Sequence, residues 1–380
     1  MPTRPSSRNA VLVALAVVVA LGALAAFGAQ RLGLVRAPWQ RRASAASHTS
    51  PVSHGAGALP AACALAATWV NGTAPRASDL DGHPVLVVAW CDTHPDGLAS
   101  LARAEEIRQA YERYGVRVIA IHEPDFSFST DTAVVARAAR RAGVHFPIAL
   151  DPAGRMAARL GITELRASSL IADTSGALFA PRRGLAGIEA NQLALRSVLD
   201  SVHHELRFPV ESAVPAQADN DPARVRTIYL GVGRAVEGPI TTAESGRAVP
   251  FTAQFRFEVE GKAFVPYPVG WWRPEADGLI AARGGAATFI ALRYQGGALD
   301  AVISPPPGSH ARVWILSDEH WLAADALGAD AHLDPRGASY VDVDEPRLYR
   351  LTHAAGPHQI KLSPEAAGVT FHALLAETVP

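Results

Sequence analysis

The sequence predicts one membrane-spanning helix, then an α/β domain, then an all-β domain. Three observations predict this order. Ala10 to Ala29 are twenty consecutive uncharged residues, mostly Ala, Val and Leu. Between Trp69 and about His204, apolar strands alternate with amphipathic helices. Beyond Arg226 helical periodicity nearly vanishes, and short β-rich runs recur between Gly and Pro.

The first run matches the thickness of a bilayer core. Arg4 and Arg8 precede it and Arg31 follows. It reads as a retained anchor at 10–29 behind a tail at 1–9. The alternative is a cleaved signal peptide, whose apolar run is usually shorter. Residues 30–62 are rich in Ala, Ser, Pro and His without an apolar period, the composition of a flexible linker. The 380 residues suffice for about two or three domains, and 49% apolar content supplies packed cores. A net charge of −1 argues against a nucleic-acid partner, since phosphate binding needs a basic surface. Only Lys262 and Lys361 are lysines; this bias towards Arg says little about function.

The α/β part is expected over residues 63–207. Val85–Trp90 is a predicted strand, and Pro95–Tyr114 is helical with Leu98, Leu101, Ile107, Tyr111 and Tyr114 near one face. Val116–His122 is a second strand of continuous apolar residues. Asp131 can cap a helix through Ala142. Phe146–Leu150 and Ser168–Ala172 are further strands, and Glu189–Leu206 is a closing helix. This alternation implies a mostly parallel or mixed sheet covered on both faces.

Residues 208–226 contain Pro and Ala and read as a connector. From residue 227 to 380 the expected architecture is an antiparallel sandwich. Its strands are expected at Arg226–Leu230, Thr252–Glu258, Ala287–Tyr294, Ala311–Leu316, Ser339–Val343, Arg347–Leu351, Gln359–Leu362 and Gly368–Leu375.

Two sets of motifs resemble a known architecture. The first is Asp79-Leu-Asp-Gly-His-Pro-Val-Leu-Val-Val-Ala-Trp90, Gly115-Val-Arg-Val-Ile-Ala-Ile-His-Glu-Pro-Asp-Phe126 and Phe146-Pro-Ile-Ala-Leu-Asp151. The second is Ile228-Tyr-Leu-Gly231, Gly270-Trp-Trp272, Arg347-Leu-Tyr-Arg-Leu351 and His358-Gln-Ile-Lys-Leu362. Together they are similar to the extracytoplasmic portion of DipZ-type thiol-disulfide carriers. That portion joins a TlpA/AhpC-like, thioredoxin-like redoxin domain to a jelly-roll-like β-sandwich resembling carbohydrate-binding modules. The likeness runs from about residue 69 to 376.

The resemblance implies Cys-x-x-Cys where the first strand meets the first long helix. This chain has two cysteines, Cys63 and Cys91, so no such pair exists. Counting without gaps between Gly82 and His122 places His94 at the first cysteine and Gly97 at the second. A gapped register places Cys91 first and His94 second. The ungapped register keeps the helix at the length the resemblance implies. Dithiol exchange needs an attacking thiolate and a resolving thiol within bonding distance, and neither register supplies both. The resemblance also implies a cis-proline before the strand Leu170–Ala172; Ala167 stands there. A non-proline cis bond costs about 3–4 kcal/mol, so Ala167 is expected in trans.

Several chemistries remain open to these residues. Cys91 is a candidate lone nucleophile, although the residue three before it is Val88 and not the Thr of a peroxidatic Thr-x-x-Cys. The bland alternatives are a structural buried thiol or a disulfide between Cys63 and Cys91. Cys91, Asp92, His94 and His122 are of ligand types that suit Zn or Cu, at the carboxyl ends of adjacent strands. Trp271 and Trp272 are a candidate glycan platform, against the simpler reading of framework tryptophans. His203-His204, Arg140-Arg141 and Arg182-Arg183 read as solvated surface.

The leading expectation is a membrane-anchored periplasmic protein, descended from thiol-disulfide carriers without their dithiol, acting as a binding, assembly or scaffold protein. The competing one is an oxidoreductase with residual thiol or peroxide chemistry through Cys91. Arginine counts flanking the span favour the opposite orientation, since Arg31, Arg36, Arg41 and Arg42 follow it. The periplasmic placement, at the bacterial inner membrane, rests on the resemblance. The expected partner is an envelope protein. No cofactor is expected.

Overall fold

A computed structural model describes residues 57–164, 166–202, 225–252 and 262–378. The anchor at Ala10–Ala29, most of the linker and His203-His204 lie outside the described residues. So do the connector up to residue 224 and most of the strand expected at Thr252–Glu258. Among the described residues, no helix is long and apolar enough to cross a membrane.

The described part begins with helix α1 (Ala58–Cys63), strand β1 (Thr68–Val70), α2 (Ala77–Leu80), β2 (Val85–Trp90) and α3 (Pro95–Tyr111). Next come β3 (Arg117–His122), α4 (Thr132–Arg141), β4 (Ile148–Leu150), α5 (Arg155–Arg159), β5 (Ala167–Ala172), β6 (Arg182–Arg183) and α6 (Gly184–Val202). The six strands form one sheet in the order β1-β4-β3-β2-β5-β6. β2, β3 and β4 run parallel; β1, β5 and β6 are antiparallel to their neighbours. The parallel steps follow from helical crossovers through α3 and α4, because parallel neighbours need a long return connection.

Alternation along β2 divides the layers. Leu86, Val88 and Trp90 face a core shared with Leu101, Ala104 and Ile107 of α3, Val135 of α4 and Ile188, Leu195 and Leu199 of α6. Val85, Val87 and Ala89 face the opposite core with α1 and with Met156 and Ala157 of α5. A strand buried on both faces reads as a continuous apolar run, which is why β2 and β3 are plain in the sequence. α3 takes Pro95 at its first position, where no backbone N–H is needed. Asp131 caps α4 as expected, its carboxylate accepting from the Ala133 amide at 2.8 Å.

One expectation is corrected here. Residues 58–62, assigned to the linker by composition, belong to α1. Leu59, Ala62 and Cys63 are buried against α5, so packing orders a segment that has no apolar period of its own.

Among the described residues, the second half contains thirteen strands. They are β7 (Val225–Tyr229), β8 (Val249–Phe251), β9 (Tyr267–Glu275), β10 (Gly278–Ala281), β11 (Phe289–Gly296), β12 (Leu299–Ser304) and β13 (Ala311–Ser317). β14 (His320–Trp321), β15 (Ala331–Leu333), β16 (Ser339–Val343), β17 (Arg347–Thr352), β18 (Gly356–Pro364) and β19 (Thr370–Glu377) follow. All pairings are antiparallel. They make a β-sandwich in which β9 joins the two layers. Its start pairs with β11, and from Gly270 onwards it pairs with β8 and β10. Gly270 has φ 92°, and a Cβ there would lie 2.6 Å from the Ala287 carbonyl oxygen, so only glycine lets the strand change layers. Trp272, Tyr294, Tyr349 and Phe371 fill the core between the layers.

Residues 51–380 form one compact unit. The outer face of β7, β12, β17 and β19 lies against the α/β half. Val302, Leu348, Ala373 and Leu375 share an apolar cluster with Phe126, with Leu98 and Phe128 packed against it. The sandwich therefore covers the end of the sheet where β2 and β3 deliver their last residues and where α3 begins.

Candidate functional site

The site is the turn Cys91-Asp92-Thr93-His94 that links β2 to α3. His94 is the N-cap of α3, and its Nδ1 accepts from the Asp96 amide at 3.3 Å. Gly97 is three residues further into the first turn. The ungapped register put the two lost cysteines at these positions, and the structure places both at the helix start. At Gly97 no space exists for a sulfur-bearing side chain. A Cβ added at Gly97 would lie 2.6 Å from the carbonyl oxygens of both Arg166 and Cys91, and 2.9 Å from the Cys91 nitrogen. These are backbone atoms, which cannot swing aside as a side-chain tip can.

Arg166 precedes Ala167, the residue at the expected cis-proline position. The described residues contain no cis peptide bond. Ala167 instead pairs as an ordinary strand residue with Trp90 at the end of β2. The loop that would present a client's backbone to a dithiol is therefore drawn into the sheet, and its carbonyl is packed against the helix start.

Cys91 is 2% exposed, and its Sγ lies 3.0 Å from the Thr93 hydroxyl. Burial pushes its thiol well above the ordinary range, with Asp92 and Asp125 adding in the same direction. Burial likewise pushes Cys63 up to about 12. A reactive cysteine needs the opposite: an exposed, electropositive setting that favours thiolate. The disulfide considered for Cys63 and Cys91 is not formed; both are free and buried. Cys63 ends α1, packed among apolar residues next to α5. Cys91 follows β2, in the turn, and lies against Thr93.

The proposed metal set does not assemble. Among the described residues, no group of three or more His, Cys, Asp or Glu is arranged to hold an ion. Each donor has another role. His122 Nε2 sits 3.0 Å from Asp92 Oδ1, Ser129 donates to Asp92 Oδ2 at 3.0 Å, and His94 caps its helix. Asp92, His122 and Ser129 form a buried hydrogen-bonded network in which both Asp92 oxygens are paired while His122 Nδ1 has no partner among the described residues, and the His122 ring packs edge-on to Trp90 at 5.0 Å. A buried carboxylate is tolerable only when its oxygens are paired in this way. Burial, with Arg166 and Arg350 nearby, lowers His94 from 6.5 to about 4, so it is neutral at pH 7.

The glycan platform is corrected as well. Successive residues of a strand point to opposite faces. Trp272 lies in the sandwich core, donating to the Val269 carbonyl at 2.8 Å, whereas the half-buried Trp271 stacks with Arg283 at 4.7 Å. The two rings cannot form one surface.

Sequence reasoning missed the residues that close the site. Asp125 accepts from the Tyr229 hydroxyl at 3.1 Å and from Arg234 at 2.6 Å, and its carbonyl accepts from Arg234 at 2.7 Å. Arg166 donates to the same Tyr229 hydroxyl at 2.6 Å. The Ser127 amide donates to the Asp277 carboxylate at 2.7 Å. Arg137 and Arg141 both reach Glu345, so Arg141, expected as plain solvated surface, bridges the two halves. A small cavity of about 200 Å³ remains between the halves, lined by Asp92, Leu98, Arg141, Asp330, Arg347 and Arg350. Its guanidinium groups are already paired with Glu345, Asp330 and Asp300.

No family model matches the sequence. The chain is 25% identical over 209 residues to the protein DipZ of Mycobacterium bovis, and to the same degree to DipZ of Mycobacterium tuberculosis. Each match covers 52% of this chain but only 30% of DipZ. Similar solved structures include a thiol-disulfide isomerase from Corynebacterium glutamicum, 20% identical, covering 40% of this chain and 97% of that one, with a TM-score of 0.31. A secreted disulfide oxidoreductase from Mycobacterium tuberculosis is 15% identical, covering 37% and 98%, with a TM-score of 0.29. The chain is thus similar in sequence to DipZ over half its own length and spans less than a third of DipZ, and its own sheet order resembles a thioredoxin-like fold, followed by a β-rich second half.

Proposed function

We propose that the protein works by binding and not by electron transfer: a membrane-anchored, periplasmic assembly or scaffold protein of the bacterial inner membrane. The observation that carries this reading is the sealed helix start. In the ungapped register two catalytic sulfurs would occupy His94 and Gly97, and the second position admits no side chain; in the gapped register the first would be Cys91, which is buried. The remaining thiol near the site is buried and held in its protonated form. The similarity to DipZ supports an envelope setting, and the Ala10–Ala29 run supports an anchor.

The competing reading, a single-cysteine oxidoreductase using Cys91, requires a thiolate that burial disfavours. Insulin reduction and peroxide consumption separate the two. The expected rates equal the protein-free background and do not change in Cys91→Ser. Turnover above background that Cys91→Ser abolishes would overturn the binding reading.

A further inference from the structure

His372 stands at the centre of the contact between the two halves. It lies on β19, 6% exposed, with its ring 5.2 Å from Phe126 and 4.9 Å from Phe128. Both ring nitrogens are engaged. Nδ1 is 2.7 Å from the Asp277 carbonyl, and Nε2 is 2.7 Å from the Ser304 hydroxyl. A carbonyl can only accept, so Nδ1 carries the proton and Nε2 accepts from Ser304. The neutral ring is therefore the Nδ1–H tautomer.

We propose that His372 is an acid-sensitive latch whose protonation releases the sandwich from the 123–130 loop. Protonating Nε2 reverses its bond to the Ser304 hydroxyl, which can also accept, and sets a cation beside Phe126 and Phe128 in a contact only 6% exposed, where desolvation penalises it. The charged groups facing it are Asp277, whose carboxylate is already committed to the Ser127 amide, and Arg234, which is paired with Asp125. Arg234 stands over Phe126 at 4.8 Å, so a second cation would arrive beside an existing one. Burial is the largest influence and lowers the His372 pKa; Asp277 opposes it through its carbonyl hydrogen bond and its charge, and Arg234 adds a smaller lowering. His94 adds to the effect at the same boundary. It faces Asp96 at 4.0 Å, Arg166 of its own half and Arg350 of the sandwich.

The sign follows from these shifts. A histidine whose closed-state pKa lies below its free value of 6.5 favours closure fully above that value. That preference is lost as pH falls through the lowered closed-state value. The latch needs only the closed contact and is independent of the partner proposed above.

Hydrogen exchange on the full chain tests it, with rates corrected for intrinsic pH dependence. The Ser127 amide is the reporter, since its hydrogen bond crosses the contact. Between pH 7.5 and 5.0, its protection is expected to fall, while amides of Val87 and Leu101 in the α/β core stay protected. In His372→Asn, which keeps a donor for the Asp277 carbonyl but cannot become charged, protection is expected to change much less. Wild-type protection that does not change with pH would refute the latch. So would loss in the core amides in parallel, which indicates global unfolding. Equal acid loss in wild type and His372→Asn at a contact that is closed at pH 7.5 would refute it too. If the variant is open at pH 7.5, the wild-type titration of the His372 ring by NMR decides: release must track that titration.

Discussion

Rebuilding the missing dithiol with His94→Cys and Gly97→Cys is expected to damage the fold without restoring a redox centre. The reason is the crowding at Gly97, where a Cβ meets two carbonyl oxygens at 2.6 Å. Overpacking of this kind costs typically 1–3 kcal/mol, and rigid backbone neighbours put this case at about 3 kcal/mol. Because the clash begins at Cβ, Gly97→Ala alone is expected to show nearly the whole effect. His94→Cys alone removes an N-cap contact and is expected to cost only about 1 kcal/mol. Urea unfolding of the three variants checks the ranking, and intact mass checks for a disulfide. A double variant with an unchanged midpoint and a formed disulfide would contradict the sealed site.

Truncating Phe126→Ala is expected to have an effect at least as large, about 3–5 kcal/mol, typical for loss of a buried aromatic ring. Phe126 is 3% exposed and sits between the halves, stacked 5.7 Å from Phe128 and edge-on to Tyr229 at 6.0 Å. Its loss leaves a void beside Val302, Leu348 and Leu375. The halves are expected to unfold in separate steps once this contact is weakened, so probes in each half would no longer give coincident transitions. A loss below about 1 kcal/mol with coincident transitions would show that the contact does not hold the halves together.

The parts of the fold that were plain in the sequence are those fixed by local pattern. β2 and β3 are continuous apolar runs, and Asp131 marks the start of α4 at the residue observed. β9 was not legible because Pro268, Gly270 and Pro274 interrupt it. Those residues suit a strand that changes layers, where pairing is with different neighbours along its length. β12 was hidden in the same way by Asp300, a carboxylate in a buried strand, which Arg350 on β17 pairs at 2.9 Å.

At the site, counting from Gly82 to His122 located His94 and Gly97 at the helix start. It could not show that the Arg166 carbonyl fills the space beside Gly97, because that contact joins segments far apart in the chain. The same holds for closure. Asp125 meets Tyr229 and Arg234 across 104 and 109 residues, and nothing local in Glu123-Pro-Asp-Phe126 signals those partners. His122 shows the converse. Its place at the carboxyl end of a strand beside Cys91 suggested a ligand, yet it is hydrogen-bonded to Asp92, which also accepts from Ser129.

Thiol titration of the native protein at neutral pH, without reductant, tests the central claim most directly. The account predicts no rapidly labelled sulfur in the native state and two after denaturation, matching the two free cysteines. Prompt stoichiometric labelling that maps to Cys91, or fewer than two thiols in the denatured protein, would contradict it.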